Sequence, residues 1–347
     1  MPKNSKKFIA AAKKPFASVK KYVQEFKTRR PHTSFILTRK RDYRRSLSLP
    51  GYFAFTRSVN KTLIKYRKVL LPLAIVYGLL SALFIGVGSQ DTYSTLTQTL
   101  QETGNEVFAG NLSELGKAGL VFFSIAGSGL NTAPTESQQI FTVILALLIW
   151  LTTVWLLRTL LAGNKAKMRD GIYNAGTPII GTFFVGIVLV LQLIPVGIAM
   201  IGYSAADSTG LLSSGVAAML FWAAALLLAI LSLYLVTSTF FALIIVTLPG
   251  MYPGRALRTA GDMVIGRRLR ILLRVLWMFG CIAVAWAIIL IPFILIDSGL
   301  KQLLPAIEGV PIIPVVLLIL GVLSFMWSAS YVYLLYRKVV DDDAKPA

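Results

Sequence analysis

Six apolar stretches, each free or nearly free of charge, dominate the chain after residue 69: 69–88, 140–157, 179–203, 216–248, 271–296 and 310–336. A bilayer core is crossed by about 20 apolar residues in a helix. In lipid only helices and closed barrels satisfy their own backbone polar groups, and apolar runs of this length exclude strands. The pattern predicts an all-α fold, a polytopic six-helix transmembrane bundle. The 14% content of charged residues fits it, since soluble domains carry roughly 25%.

Charge placement predicts the topology. Residues 1–68 hold 20 of the 35 Lys and Arg, with Glu25 and Asp42 as their only acids, so this segment carries most of the formal charge of +20. Basic residues beside membrane spans stay in the cytoplasm. The connections alternate accordingly. The segment 89–139 has only Lys117, 204–215 has no basic residue and 297–309 has only Lys301. By contrast, 158–178 carries Arg158, Lys165, Lys167 and Arg169, and 249–274 carries Arg255, Arg258, Arg267, Arg268, Arg270 and Arg274. The expected organisation is a basic cytoplasmic arm over 1–50, a six-span domain over 51–338 with an external loop at 89–139, and a cytoplasmic tail over 339–347. Within that loop Gly119–Leu130 is apolar but too short to span, and it reads as a re-entrant or outer-surface element.

The arm begins with Phe16, Val19, Val23 and Phe26 at helical spacing, flanked by Lys13, Lys14, Lys20 and Lys21. Such a basic amphipathic helix favours an anionic membrane surface. Pro31 is expected to end it. The cluster Arg39, Lys40, Arg41, Arg44 and Arg45 follows, and from Tyr52 a second amphipathic segment is expected to run directly into the first span. Anionic headgroups are the expected partner, shared by these residues with Arg267, Arg268 and Arg270. A protein partner or a second copy of the chain is the next candidate. No ribonucleoprotein-like or zinc-finger pattern points to nucleic acid. Phe8–Ala12 is too short for a cleavable signal peptide.

The only cysteine is Cys281, in the fifth stretch, and the only histidine is His32, in the arm. The usual Cys/His zinc sites, haem attachment and histidine-based dyads within the membrane are excluded, and no metal or cofactor is expected. No acidic residue or lysine lies mid-span, which argues against a proton-coupled pump. Gln192 is the deepest polar residue, three positions before Pro195, and Pro292 interrupts the fifth stretch in the same way. Ser232 and Thr237 in the fourth stretch and Ser324 and Ser328 in the sixth complete a candidate polar cavity. The competing expectation is that these small and hydroxyl residues allow close helix packing.

A weak internal repeat is also present. Ser58–Leu71 aligns with Ala260–Leu273, matching Lys65 to Arg267 and Lys68 to Arg270, and Met168–Pro178 holds a comparable place before the third span. It suggests three helical hairpins, each led by a short interfacial helix. At Arg39–Thr56 (RKRDYRRSLSLPGYFAFT), Arg169–Pro178 and Arg255–Leu273 the chain resembles an uncharacterised family of six-span membrane proteins from reduced-genome bacteria. Arg255–Leu273 also resembles the membrane domain attached to some glycerophosphodiester phosphodiesterases. The resemblance implies a bacterial cytoplasmic membrane. The catalytic histidine and acidic residues of those phosphodiesterases have no counterparts, so their activity does not follow. Two roles remain: a non-catalytic assembly or accessory component working through its basic arm, or a transporter of a small or lipid-like substrate.

Overall fold

The computed structural model describes residues 49–86, 135–211, 215–303 and 312–343. Among these residues the chain forms nine helices and no strand: α1 (Tyr52–Lys65), α2 (Arg67–Phe84), α3 (Glu136–Leu161), α4 (Met168–Ala175), α5 (Ile179–Ser208), α6 (Gly215–Ile245), α7 (Pro253–Val264), α8 (Arg268–Leu303) and α9 (Ile312–Asp343). Six of them, α2, α3, α5, α6, α8 and α9, are long and apolar enough to cross a membrane. The protein is an integral, multi-pass membrane protein of the expected class.

The element order is one short helix followed by two long ones, three times over. The spacing agrees as well: α1 and α2 begin at Tyr52 and Arg67, and α7 and α8 at Pro253 and Arg268. Each short helix buries a narrow stripe at one-turn spacing, Phe55 and Val59 in α1, Gly171 and Ala175 in α4, and Ala256, Ala260 and Val264 in α7. Residues four apart share a helix face, which is why these stripes form. The packing is cyclic. α4 lies on α3 and α7 lies on α6, each short helix resting on the last span of the preceding unit, and α1 closes the ring by lying on α9.

Tyr66 separates α1 from α2, so the second amphipathic segment does not run directly into the first span. Its backbone leaves the helical region and its hydroxyl donates to the Leu160 carbonyl at the end of α3, 3.1 Å away. The α7–α8 break turns on Gly266, whose φ of 78° favours glycine. α3 starts earlier than the apolar stretch, at a capping box in which Thr135 and Gln138 satisfy each other's backbone N–H groups.

The bundle has a basic end. All the Lys and Arg of the described residues except Lys301 lie there, on the short helices, the connections beside them and the adjoining span ends. Arg158 of α3 donates to the Thr247 carbonyl at the end of α6, 3.0 Å away, and Arg274 of α8 donates to the Pro50 carbonyl just before α1. The main core gathers at this end and joins all three units, while a second, smaller core packs α8 on α9 around Trp286, Leu290 and Leu317. Burial is uneven. Only 6% of the most apolar stretch of α5, and likewise of α6, is buried, against 50% in α3 and 44% in α9. The α5–α6 hairpin thus joins the bundle mainly through the last turns of α6, where Val236, Thr237, Thr239, Phe241, Ala242, Ile244 and Ile245 are buried, and leaves its remaining apolar surface to lipid.

Candidate functional site

The residues marked in the sequence as a cavity lie on four helices, α5, α6, α8 and α9. The Thr239 hydroxyl donates to Gln192 Oε1 at 2.6 Å, tying α6 to α5. Thr237 donates to the Leu233 carbonyl of its own helix, and Ser232 is buried. Pro195 and Pro292 sit within continuous helices, α5 and α8, and Pro292 is exposed. In the third unit Trp286 Nε1 donates to Ser324 Oγ at 2.7 Å, and Ser328 is partly buried one turn further along α9.

One pattern accounts for Gln192 and Ser324. Among the described residues, a side-chain hydrogen bond links the two spans of each hairpin: Tyr77 with Thr152 at 2.7 Å for α2–α3, Thr239 with Gln192 for α5–α6, and Trp286 with Ser324 for α8–α9. Thr152 spends its hydroxyl hydrogen on the Leu148 carbonyl, so the Tyr77 O–H donates in the first pair. In an apolar medium such a bond satisfies groups that water does not reach, and within membranes it contributes about 0.6–2 kcal/mol. Two of the sequence candidates, Gln192 and Ser324, are therefore fasteners in two different hairpins. Their partners Thr239 and Trp286, and the whole Tyr77–Thr152 pair, escaped the sequence reading because each partner lies far away in the chain.

A partly open, mostly apolar cleft of about 100 Å³ lies elsewhere, among α2, α3, α8 and α9. Ser81, Thr142, Ile149, Trp286, Leu318 and Phe325 are among its walls, and none of the seven predicted cavity residues lines it. The Thr142 hydroxyl is already committed to the Gln138 carbonyl. Among the described residues no group of three or more His, Cys, Asp or Glu is placed to hold a metal ion.

The expected headgroup contacts of the α7–α8 junction divide three ways. Arg270 is exposed, and Arg268 lies 3.7 Å over the Tyr234 ring of α6. Arg267 is only 2% exposed and its Nε donates to the Met263 carbonyl at 2.8 Å, so it does not present its charge to headgroups. The reason is its register: Arg267, Ile271, Arg274, Val275 and Met278 form the buried stripe of α8. Arg274 accordingly faces inward as well. Its guanidinium, on a side chain 6% exposed, lies 4.1 Å from the centre of the Tyr52 ring and 5.8 Å from that of Phe55. Trp277 adds to this junction, packing on Tyr52 and Phe53 and donating from Nε1 to Thr56 Oγ1 at 3.1 Å. Trp327 of α9 donates to Asn60 Oδ1 at 2.8 Å, so α1 is gripped from both α8 and α9.

Lys13, Lys14, Lys20, Lys21, Arg39, Lys40, Arg41, Arg44 and Arg45 lie outside the described residues, as does Gly119–Leu130. Comparison with protein-family models, with curated proteins and with solved structures finds no match to this chain.

Proposed function

We propose that the protein is a non-catalytic assembly or accessory component of a bacterial cytoplasmic membrane, with its basic end and both termini in the cytoplasm. The observation that carries this reading is that, among the described residues, a side-chain hydrogen bond holds the two spans of each hairpin together, Gln192 itself being bound by Thr239. The orientation follows from the positive-inside bias of the loops. In this reading the many Lys and Arg of the arm, residues 1–50, meet anionic headgroups and an acidic protein partner.

Deleting residues 1–50 tests this reading. The truncated protein is expected to remain in the membrane and to lose a stoichiometric partner that co-purifies with the full chain. Undiminished association would overturn the role of the arm.

The second reading is transport of a small or lipid-like substrate, supported by the apolar cleft among α2, α3, α8 and α9 rather than by the Gln192 region. The two sites separate experimentally. A Gln192→Leu variant is expected to lose about 0.5–1.5 kcal/mol of stability, the net worth of one neutral hydrogen bond, measured by thermal unfolding in detergent. Any transport found is expected to continue in that variant, and its loss would return the substrate path to Gln192.

A further inference from the structure

The cleft among α2, α3, α8 and α9 has a shape that narrows the choice of occupant. Its walls run from Thr142 to Ile149 on α3 and from Leu317 to Phe325 on α9. At 1.5 Å of rise per residue these stretches are about 10–12 Å long. The enclosed volume is only about 100 Å³, so the space is long and slender. Sites for compact, drug-sized ligands are several times larger, at about 300–1,000 Å³. Such a channel fits a linear chain.

The chemistry of the walls narrows the choice further. Leu145, Ile149, Leu317, Leu318, Val322 and Phe325 are among them. The Thr142 hydroxyl donates to the Gln138 carbonyl and Trp286 Nε1 to Ser324 Oγ, so neither hydrogen is offered to a ligand. A polar group placed here would lose its water without replacement. Gly321 widens the space from α9: a Cβ added there meets nothing within 4 Å, although its neighbours Leu320 and Val322 are buried. The depth is also defined. The cleft lies in the half of the bundle away from the basic end, reaching Gly86 just past the end of α2, where Gln138 Nε2 stands at the mouth. One turn nearer the basic end than Ser81 and Ile149 lie Tyr77 and Thr152, bonded to each other. Apart from the residues just past α2, the whole lining belongs to four membrane spans, so hydrocarbon surrounds its opening.

We propose that this cleft binds part of one acyl chain of a bilayer lipid, lying along the spans in the membrane half opposite the basic end. Lipid tails are the linear hydrocarbon present at that depth, and they run in the direction of the spans. Apolar cavities of comparable size, about 150 Å³, stay dry and take apolar molecules. The volume admits a stretch of one chain and no headgroup, which stays outside, on the side of Gly86 and Gln138. An acyl chain here gives the second reading its ligand and rests on that reading only for the cleft's part in transport. Occupancy itself needs no transport, so a filled cleft without transport would remove that reading and leave the site standing.

Gly321→Leu fills the cleft from its own wall. Gly280→Leu on α8 is the matched control, because Gly280 is exposed and a Cβ added there also meets nothing within 4 Å. Both changes replace a glycine inside a helix, which favours the helix to the same degree. The full chain and the two variants are placed in phosphatidylcholine vesicles containing a phosphatidylcholine with a photoreactive diazirine on one acyl chain, and labelled residues are mapped by mass spectrometry. The parent and Gly280→Leu are expected to be labelled at the buried wall residues Leu145, Ile149, Leu317 and Val322, as well as at the exposed Val190 and Leu191 of α5. Gly321→Leu is expected to lose the wall label, to keep the α5 label, and to unfold at no lower temperature than the parent. Unlabelled wall residues in the parent would overturn the site without recourse to any variant, whether the space is closed by Gly119–Leu130 of the same chain or left empty. Wall label that persists in Gly321→Leu would overturn it too. So would a fall in unfolding temperature confined to Gly321→Leu, which would deny the space.

Discussion

Replacing Phe55 with alanine is expected to release α1 from the bundle, at a cost of about 3–5 kcal/mol, the usual range for emptying a buried aromatic site. Phe55 is 1% exposed, meets the Tyr331 ring edge-on at 4.8 Å, and forms part of the wall around the Arg274 guanidinium. Its removal opens a cavity between α1 and α9 and brings water to a charge now held among aromatic rings. Hydrophobic burial and the setting of Arg274 fail together, which makes this the largest single effect available at the junction. Limited proteolysis in detergent reads it directly: the variant is expected to be cut within 50–66 at temperatures where the parent chain is intact there. Equal protection would mean that α1 is held by Asn60, Thr56 and Pro50 without help from its buried ring.

The second large effect is at Gly171. A Cβ built there lies 2.7 Å from Leu156 Cγ and 3.0 Å from both its Cδ atoms, closer than real contacts allow. Leu156 is fully buried in α3, so its branch point has little room to retreat. Gly171→Ala is expected to cost about 1–3 kcal/mol through overpacking, and Leu156→Ala about 2–5 kcal/mol through the cavity it leaves. Because the added methyl enters the space the leucine vacates, the double variant is expected to be more stable than the sum of the single losses, by about 0.5–3 kcal/mol. Thermal unfolding of the four proteins completes the cycle. Strict additivity would place α4 away from α3.

The large features were legible because hydrophobicity is a local property of the chain. Six runs and a lead-in segment before each odd-numbered span are read from neighbours in sequence, and they match six long helices and the short helices α1, α4 and α7. Helix ends were less legible, although Thr135-Glu-Ser-Gln138 carries a capping-box spacing that extends α3 before its apolar run. The break at Tyr66 carries no proline or glycine and depends on a hydrogen bond to Leu160, 94 positions away.

The polar residues show why site prediction was harder. Gln192 and Ser324 stand out in apolar helices, but whether such a group faces a chamber or a neighbouring helix is decided by the partner, and Thr239 and Trp286 are remote in the chain. Arg267 and Arg274 had a readable signal. They lie seven residues apart, on the stripe of Ile271, Val275 and Met278, and helical periodicity alone places both inward. Grouping Arg267 with its neighbours Arg268 and Arg270 as headgroup contacts ignores that register. Buried arginine is admissible here because carbonyls and aromatic faces surround it.

The most direct test of the accessory reading is mild-detergent purification of the tagged full chain from its native membrane, with mass spectrometry of the proteins and small molecules that accompany it. A stoichiometric protein partner, retained by the full chain and lost on removal of residues 1–50, is the predicted result. A self-contained particle carrying one enriched metabolite and no partner would contradict the account and point to transport.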